Sequence, residues 1–296
     1  MMTASEMNSV PPEQSPPRRS LPAGAWDCHA HVFGPFERFP LAAVRSYTPP
    51  PAPFESYMAM LERMGFAHGV LVHASAYGLD HAATLDALER AGTRLRGTAV
   101  ATSEITDAEL EAMHRHGVRA LRFSEIGGAG GQRFAGAVGL DALPGLAPRL
   151  KELGWHAQIF ASCETVVAAA PVLLACAIPL VFDHMARFNV EKGTRDQAFQ
   201  GLLRLLAEGK VWVKMTPARN SKRFPDYDDV RPFHDALLRA NPDRLIWGSD
   251  WPYLSMGAAT PDAGHLLDLL DDWTGDETLR RKILADNPAR LYGVRT

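Results

Sequence analysis

Cysteine is scarce in this chain of 296 residues, limited to Cys28, Cys163 and Cys176. An odd number at unrelated spacings argues against a disulfide framework and for reduced thiols in a cytoplasmic protein. A surplus of charge is also missing. A net charge of −3 gives no electrostatic footprint for nucleic acid or for an acidic membrane surface. No stretch is apolar for the roughly 18 residues that a membrane span requires. Residues 1–24 lack the apolar core of a signal peptide. With Pro11, Pro12, Pro16, Pro17 and Pro22 among small polar residues, they are expected to form a flexible tail ahead of a single domain, 25–296. A Gly-rich turn after the first strand, the mark of a doubly wound nucleotide-binding sheet, is absent as well.

What is present is a repeating alternation. Eight short apolar runs, each bounded by turn residues, read as strands: Trp26–Phe33, Gly69–Ser75, Arg96–Thr102, Val118–Ser124, Trp155–Phe160, Pro179–Met185, Val211–Thr216 and Leu245–Asp250. Between them apolar residues recur at helical spacing, as in Tyr57, Met60, Leu61 and Met64,. Gly65, Gly117, Gly154 and Gly209 follow such stripes as helix stops,. Asn287-Pro288 reads as the N-cap and first residue of a last short helix,. Strict β-then-α alternation means a parallel sheet, and eight units closing on themselves give a (β/α)8 TIM barrel, which fits about 250 residues in one domain. A doubly wound open sheet is the rival fold.

In a barrel of this kind reactive groups sit at the C-terminal ends of the strands. Asp27-Cys28-His29-Ala30-His31 ends the first run, and alternation sets His29 and His31 on one face with Cys28 and Ala30 on the other. His184 and Asp250 end the sixth and eighth runs. Three imidazoles and a carboxylate can hold one divalent metal with an open water position, or polarise a carbonyl without one. The seventh run has no histidine and the fifth offers Gln158, so a dinuclear centre is not expected. Any one of these histidines read singly is also compatible with a hydrogen-bonded core role, and Asp250 with a helix N-cap before Trp251-Pro252.

Arg122 closes the fourth run and suits a substrate carboxylate, with a salt bridge to Glu125 as the structural alternative. Arg133 follows the loop Gly127–Gln132, and Arg219, Lys222 and Arg223 follow the seventh run. Solvated surface charge is the alternative for these. Tyr47, Ser75 and Gln158 are polar candidates near strand ends. His73 and His156 read as barrel-interior histidines, and Cys163 and Cys176 as packing.

These residues resemble the amidohydrolase superfamily, and its branch of lactone hydrolases that includes the 2-pyrone-4,6-dicarboxylate lactonases. The likeness runs from Trp26 to Gly293. It is carried by Asp27–Pro35, Tyr47-Thr48-Pro49, Gly154–Gln158, Phe182-Asp183-His184, Val211–Thr216, Trp247–Pro252 and Asn287–Gly293. The resemblance implies that His29, His31 and His184 polarise a lactone carbonyl and that Asp250 activates the hydrolytic water. Arg122 would bind a substrate carboxylate, Arg133 and Arg219 being looser matches, with Tyr47 and Ser75 as further contacts. It implies either no required cofactor or a single divalent metal, zinc, on His29, His31, His184 and Asp250. Three departures stand out: Thr216-Pro217-Ala218-Arg219 where Ser-Gly then Arg is usual, Pro252-Tyr253-Leu254 for Pro-His-Pro, and His73 for Gln. All three are expected at the barrel mouth.

The reading is a hydrolase that opens a carboxylated lactone, aromatic-derived or from a sugar acid, with Asp250 as general base. A lactone isomerase and a zinc-dependent decarboxylase of a muconate-type acid are the enzymatic alternatives. A catalytically dead barrel used for binding would have no need of the four site residues. A small-molecule partner is expected, no nucleic acid or membrane, and oligomeric state is left open.

Overall fold

The computed structural model describes residues 12–127 and 132–293. The strands are β1 (Trp26–Ala30), β2 (His68–Val72), β3 (Leu95–Ala99), β4 (Val118–Ser124), β5 (His156–Phe160), β6 (Leu180–Phe182), β7 (Val211–Met215) and β8 (Leu245–Trp247). They pair in sequence order, all parallel. Helices α1 (Phe54–Met64), α2 (Ala82–Ala91), α3 (Asp107–Arg115), α4 (Leu143–Glu152), α5 (Cys163–Ala175), α6 (Gln197–Ala207), α7 (Arg231–Ala240) and α8 (Ala263–Thr274) follow them in turn. Two short helices, α9 (Glu277–Arg281) and α10 (Asn287–Tyr292), come after α8. This is the (β/α)8 barrel that the alternation predicts. Among the described residues, no helix is long and apolar enough to cross a membrane.

The apolar stripes do what their spacing requires. Leu61, Leu88, Leu150, Leu202, Leu237 and Leu267, one from each of six helices, are all buried against the outer face of the sheet. Each such side chain contributes roughly 1.5–3 kcal/mol of transfer free energy. A second cluster, including Trp26, Cys28, Val70, Val181, Trp212 and Ile246, fills the barrel, with Tyr292 of α10 packed into it. Gly65 stops α1 in the left-handed region (φ 87°), and Phe66 N–H donates back to Leu61 O at 2.8 Å,.

Several expected boundaries shift, for local reasons. The runs expected to reach Phe33, Ser75, Met185 and Asp250 leave the sheet at Ala30, Val72, Phe182 and Trp247. His184 through Arg187 and Asp250 have positive φ, which a strand cannot accommodate. Across Asp27–Ala30 the register between β1 and β2 shifts. Cys28 therefore joins the barrel-filling cluster while Ala30 packs outside, and the simple alternation expected there is broken by a bulge. Asn287 is no N-cap: its backbone is helical and its amide donates to the carbonyls of Pro242 (2.8 Å) and Leu245 (2.7 Å).

Of the segment expected to be a flexible tail, residues 1–11 lie outside the described residues, and 12–24 are laid against the barrel. Gln14 is buried, and its Oε1 accepts from Tyr253 Oη (3.0 Å) and Ala263 N–H (2.7 Å). Arg18 pairs with Asp268 at 3.0 Å. The Ser15 carbonyl approaches so closely that a Cβ on Gly264 would stand 2.1 Å from it. Composition is a local signal, and these long-range contacts are not visible in it.

Candidate active site

The seam between β8 and β1 is built by the site itself. Asp250 N–H donates to His29 O and His31 N–H to Trp251 O, each at 2.8 Å. Beneath the seam Asp27 is fully buried and accepts from Ser249 N–H and Oγ–H (both 2.7 Å), His29 N–H (3.2 Å) and Tyr57 Oη (3.1 Å). Burial lifts its pKa to about 6, even though each of those donors favours the carboxylate,. The approach of the two loops leaves no room for a side chain at Gly248, where a Cβ would lie 2.7 Å from His29 Cβ.

This brackets the four residues singled out from the sequence around one point. Asp250 Oδ1 lies 3.7 Å from His29 Nε2, 3.9 Å from His31 Nε2 and 3.8 Å from His184 Nε2. Asp250 Oδ2 accepts from Arg219 Nε–H. Burial, and after it the neighbouring cations and imidazoles, hold all three histidine pKa values below the ordinary one, so the rings are neutral at physiological pH. The tautomer of His31 follows from its partner. Nδ1 lies 2.7 Å from the Val72 carbonyl, which only accepts, so Nδ1 carries the proton and Nε2 a lone pair,. His29 Nε2 is buried with no hydrogen-bond partner. A neutral acceptor nitrogen and an unpartnered one thus face a carboxylate oxygen, the arrangement that a cation satisfies. Two groups, His29–His31–Asp250 and His29–Asp183–His184, have ligand atoms close enough to hold a metal ion.

A polar layer across the barrel supports these residues, and two of its members escaped the sequence reading. Asp183, fully buried, accepts at Oδ2 from Arg122 Nε (3.0 Å) and Nη2 (2.9 Å) and from Gln158 Nε2 (3.0 Å). Its Oδ1 stands 3.3 Å from His29 Nδ1 and 3.3 Å from Lys214 Nζ. Burial alone would raise this carboxyl's pKa, but Lys214, His29 and Arg122 together outweigh it and hold it well below the usual range,. A Lys inside the Val- and Trp-rich run of β7 was the available signal, because a buried ammonium needs a carboxylate.

Above this layer opens a cavity of about 390 Å³ lined by His31, His184, Asp250, Arg122 and Arg219, and also by Tyr47 and Ser75. Arg122 is anchored by Asp183 rather than by Glu125, and its guanidinium lies 4.6 Å over the Phe160 ring. Gln158 and Arg133 are not at the cavity. Gln158 is buried beneath it between Thr98 Oγ1 (3.0 Å) and Asp183. Arg133 pairs outside with Glu125 (3.4 Å) and Asp141 (3.0 Å). Residues 128–131 before it lie outside the described residues. Arg223 pairs with Asp228 on the surface. Of the departures, His73 and Leu254 line the cavity, whereas Thr216 and Pro217 do not and Tyr253 turns away to Gln14.

The sixth strand leads into a left-handed turn. His184, Met185, Ala186 and Arg187 have φ of 50°, 54°, 57° and 48°, at roughly 1–2 kcal/mol per residue. Burial of Met185 and Ala186 offsets this, as do Asn220 Nδ2 donating to His184 O at 2.8 Å and the Arg187 guanidinium donating to Arg219 O. The turn aims His184 at Asp250 and brings Arg187, unremarked in the sequence, to the cavity wall.

The amidohydrolase family model matches residues 26–294. A 4-sulfomuconolactone hydrolase from Rhizobium radiobacter is 38% identical, over 99% of this chain and 100% of its own length. A 2-pyrone-4,6-dicarboxylate hydrolase from Comamonas testosteroni is 36% identical, over 94% of this chain and 93% of its own. A crystal structure from Pseudomonas putida, provisionally assigned as a 2-pyrone-4,6-dicarboxylic acid hydrolase, superposes with a TM-score of 0.81 at 29% identity, covering 93% of this chain and 100% of that one.

Proposed function

The chain belongs to the amidohydrolase family, and from that premise we propose that it is a lactone hydrolase, adding water across the ring ester of a lactone that carries an acid group. The observation that carries this reading is the convergence of three imidazole Nε2 atoms within 3.9 Å of Asp250 Oδ1 at a cavity walled by arginine.

Arg122, fixed by Asp183, binds an acid group of the substrate. Asp250, with Oδ2 held by Arg219, presents Oδ1 to a water and takes its proton as the water oxygen bonds to the ring carbonyl carbon. The C–O bond to the ring oxygen then breaks, and Asp250 returns the proton to that oxygen. Tyr47 and Ser75 orient the ring. His29 and His184 face the developing oxyanion, whereas His31, whose Nε2 carries a lone pair, would act on it only through a bound cation,. The donor set of His29, His31 and Asp250 fits one divalent metal such as zinc, since His31 presents a lone pair and His29 Nε2 lacks a partner; His184 groups instead with His29 and Asp183. When bound, such an ion supplies a Lewis acid for the carbonyl.

The test is turnover of 2-pyrone-4,6-dicarboxylate and 4-sulfomuconolactone in oxygen-18 water, with metal-stripped and zinc-restored protein. Hydrolysis gives an open product with one heavy oxygen. A product of unchanged mass would instead make the chain an isomerase, and release of carbon dioxide a decarboxylase.

A further inference from the structure

We propose that Lys214 is a positioning residue that fixes His29 in one tautomer, with the proton on Nε2, so that this ring is a hydrogen-bond donor at the site and resists becoming a metal ligand. The proposal deepens the lactone reading above, on which its kinetic arm alone rests.

His29 and Lys214 are both fully buried. The Nε2 of His29 faces Asp250 Oδ1 at 3.7 Å. Its Nδ1 faces the polar layer, where Lys214 Nζ and Asp183 Oδ1 each stand 3.3 Å away. Lys214 Nζ and Asp183 Oδ1 are themselves 3.3 Å apart. A neutral imidazole carries one proton, and an ammonium has donors only. With the proton on Nδ1, two buried donors would meet head on. With a lone pair there, Lys214 donates to His29. Hydrogen-bond geometry falls the same way: Lys214 is aligned on His29 Nδ1, whereas Asp183 Oδ1 has no hydrogen-bond partner and meets the ammonium by charge alone. Nε2 therefore holds the proton.

The place of Lys214 supports this role. Asp183 is already paired with Arg122, through Nε at 3.0 Å and Nη2 at 2.9 Å. A second buried cation beside it is unfavourable unless it serves another group, and the group it reaches is His29. His31 is held the opposite way, since its Nδ1 proton goes to the Val72 carbonyl and leaves a lone pair on Nε2. One strand end thus presents a donor and an acceptor to the same carboxylate oxygen. Metal binding needs a lone pair from both rings. His29 can supply one only by moving its proton to Nδ1, against Lys214.

The first readout is the proton itself. Metal-free wild-type chain with nitrogen-15 histidine is observed by long-range proton–nitrogen NMR, with His29 assigned through His29→Gln. Nε2 should be protonated in the wild type, and Nδ1 in Lys214→Met, where Asp183 Oδ1 remains to accept. A wild-type His29 protonated on Nδ1 would overturn the proposal, and this arm does not depend on how a variant folds. Zinc is then titrated calorimetrically into the wild type, Lys214→Met and Arg122→Met. Lys214→Met should bind zinc on the order of tenfold more tightly. Arg122→Met removes the same charge without touching Nδ1 and should gain less; equal gains would reduce Lys214 to a charge and overturn the assignment. On 2-pyrone-4,6-dicarboxylate without metal, kcat of Lys214→Met should fall on the order of a hundredfold, the scale for one lost oxyanion donor. KM, and binding of isophthalate, a flat acid with no ester to open, should stay within about threefold. An unchanged kcat, or turnover by the wild type only with zinc, would overturn the donor role. If neither 2-pyrone-4,6-dicarboxylate nor 4-sulfomuconolactone is turned over while the His29 proton and zinc affinity shift as stated, the lactone reading fails and the tautomer assignment stands.

Discussion

Asp183→Asn is the most demanding test of how the site is held. The substitution keeps the size of the side chain and removes the one carboxylate that faces both Lys214 Nζ (3.3 Å) and Arg122 Nη2 (2.9 Å). Arg122 retains some exposure at the cavity and can recover water, whereas Lys214 is fully buried and cannot. Removing one partner of a buried ion pair typically costs about 3–5 kcal/mol, because the remaining charge is uncompensated. In a chain of this size that corresponds to a fall of roughly 10 °C in melting temperature. Lys214→Met should cost less, since Asp183 would keep its bonds to Arg122 and Gln158. The double variant Asp183→Asn/Lys214→Met should be more stable than Asp183→Asn alone by about 2 kcal/mol. Urea unfolding midpoints and thermal melts at neutral pH measure all four proteins. If the double variant loses the sum of the two single losses, the charge argument is wrong and Asp183 acts through shape and hydrogen bonds alone.

Four further outcomes are expected. Asp250→Asn should lower kcat by two orders of magnitude or more, with binding of isophthalate still measurable by calorimetry; near-normal turnover would remove Asp250 as the base. Arg122→Met should raise KM for any acid-bearing lactone on the order of tenfold, and an unchanged KM would contradict its role. Gly248→Ala should cut kcat severely through the 2.7 Å approach to His29 Cβ, and a fully active variant would mean the seam can give. Stability should fall with acid below pH 6.5: His73 and His156 have pKa values lowered by burial to about 3, so the unfolded chain binds protons there that the folded one refuses. Each then costs about 2 kcal/mol at pH 5, partly offset by Asp27, whose raised pKa of about 6 favours the folded state as pH drops. His73→Gln and His156→Gln should each flatten the curve of unfolding free energy against pH, and a curve that keeps its slope would refute the assignment.

The sequence by itself determined the barrel and the four residues at its floor. Period and alternation are local properties, and each strand's apolar run carries its own evidence. His29, His31, His184 and Asp250 were legible because a barrel brings strand ends together, so position along each run was enough. Side-chain partnership was not legible, because partners lie far apart in the chain. Gln158 on its strand and Arg133 in the loop after the fourth had the right chemistry, but Gln158 is buried against Thr98 and Asp183, and Arg133 is drawn outward by Glu125 and Asp141. Asp183 and Lys214 stood in quoted motifs without a role until the fold set them against one another. Gln14, in a stretch whose composition reads as a tail, is buried through contacts with Tyr253 and Ala263. Arg187 is the clearest instance. Nothing in the residues around it announces a left-handed turn, since that backbone is unfavourable locally and persists only because Asn220, Arg219 and the packing around Met185 impose it.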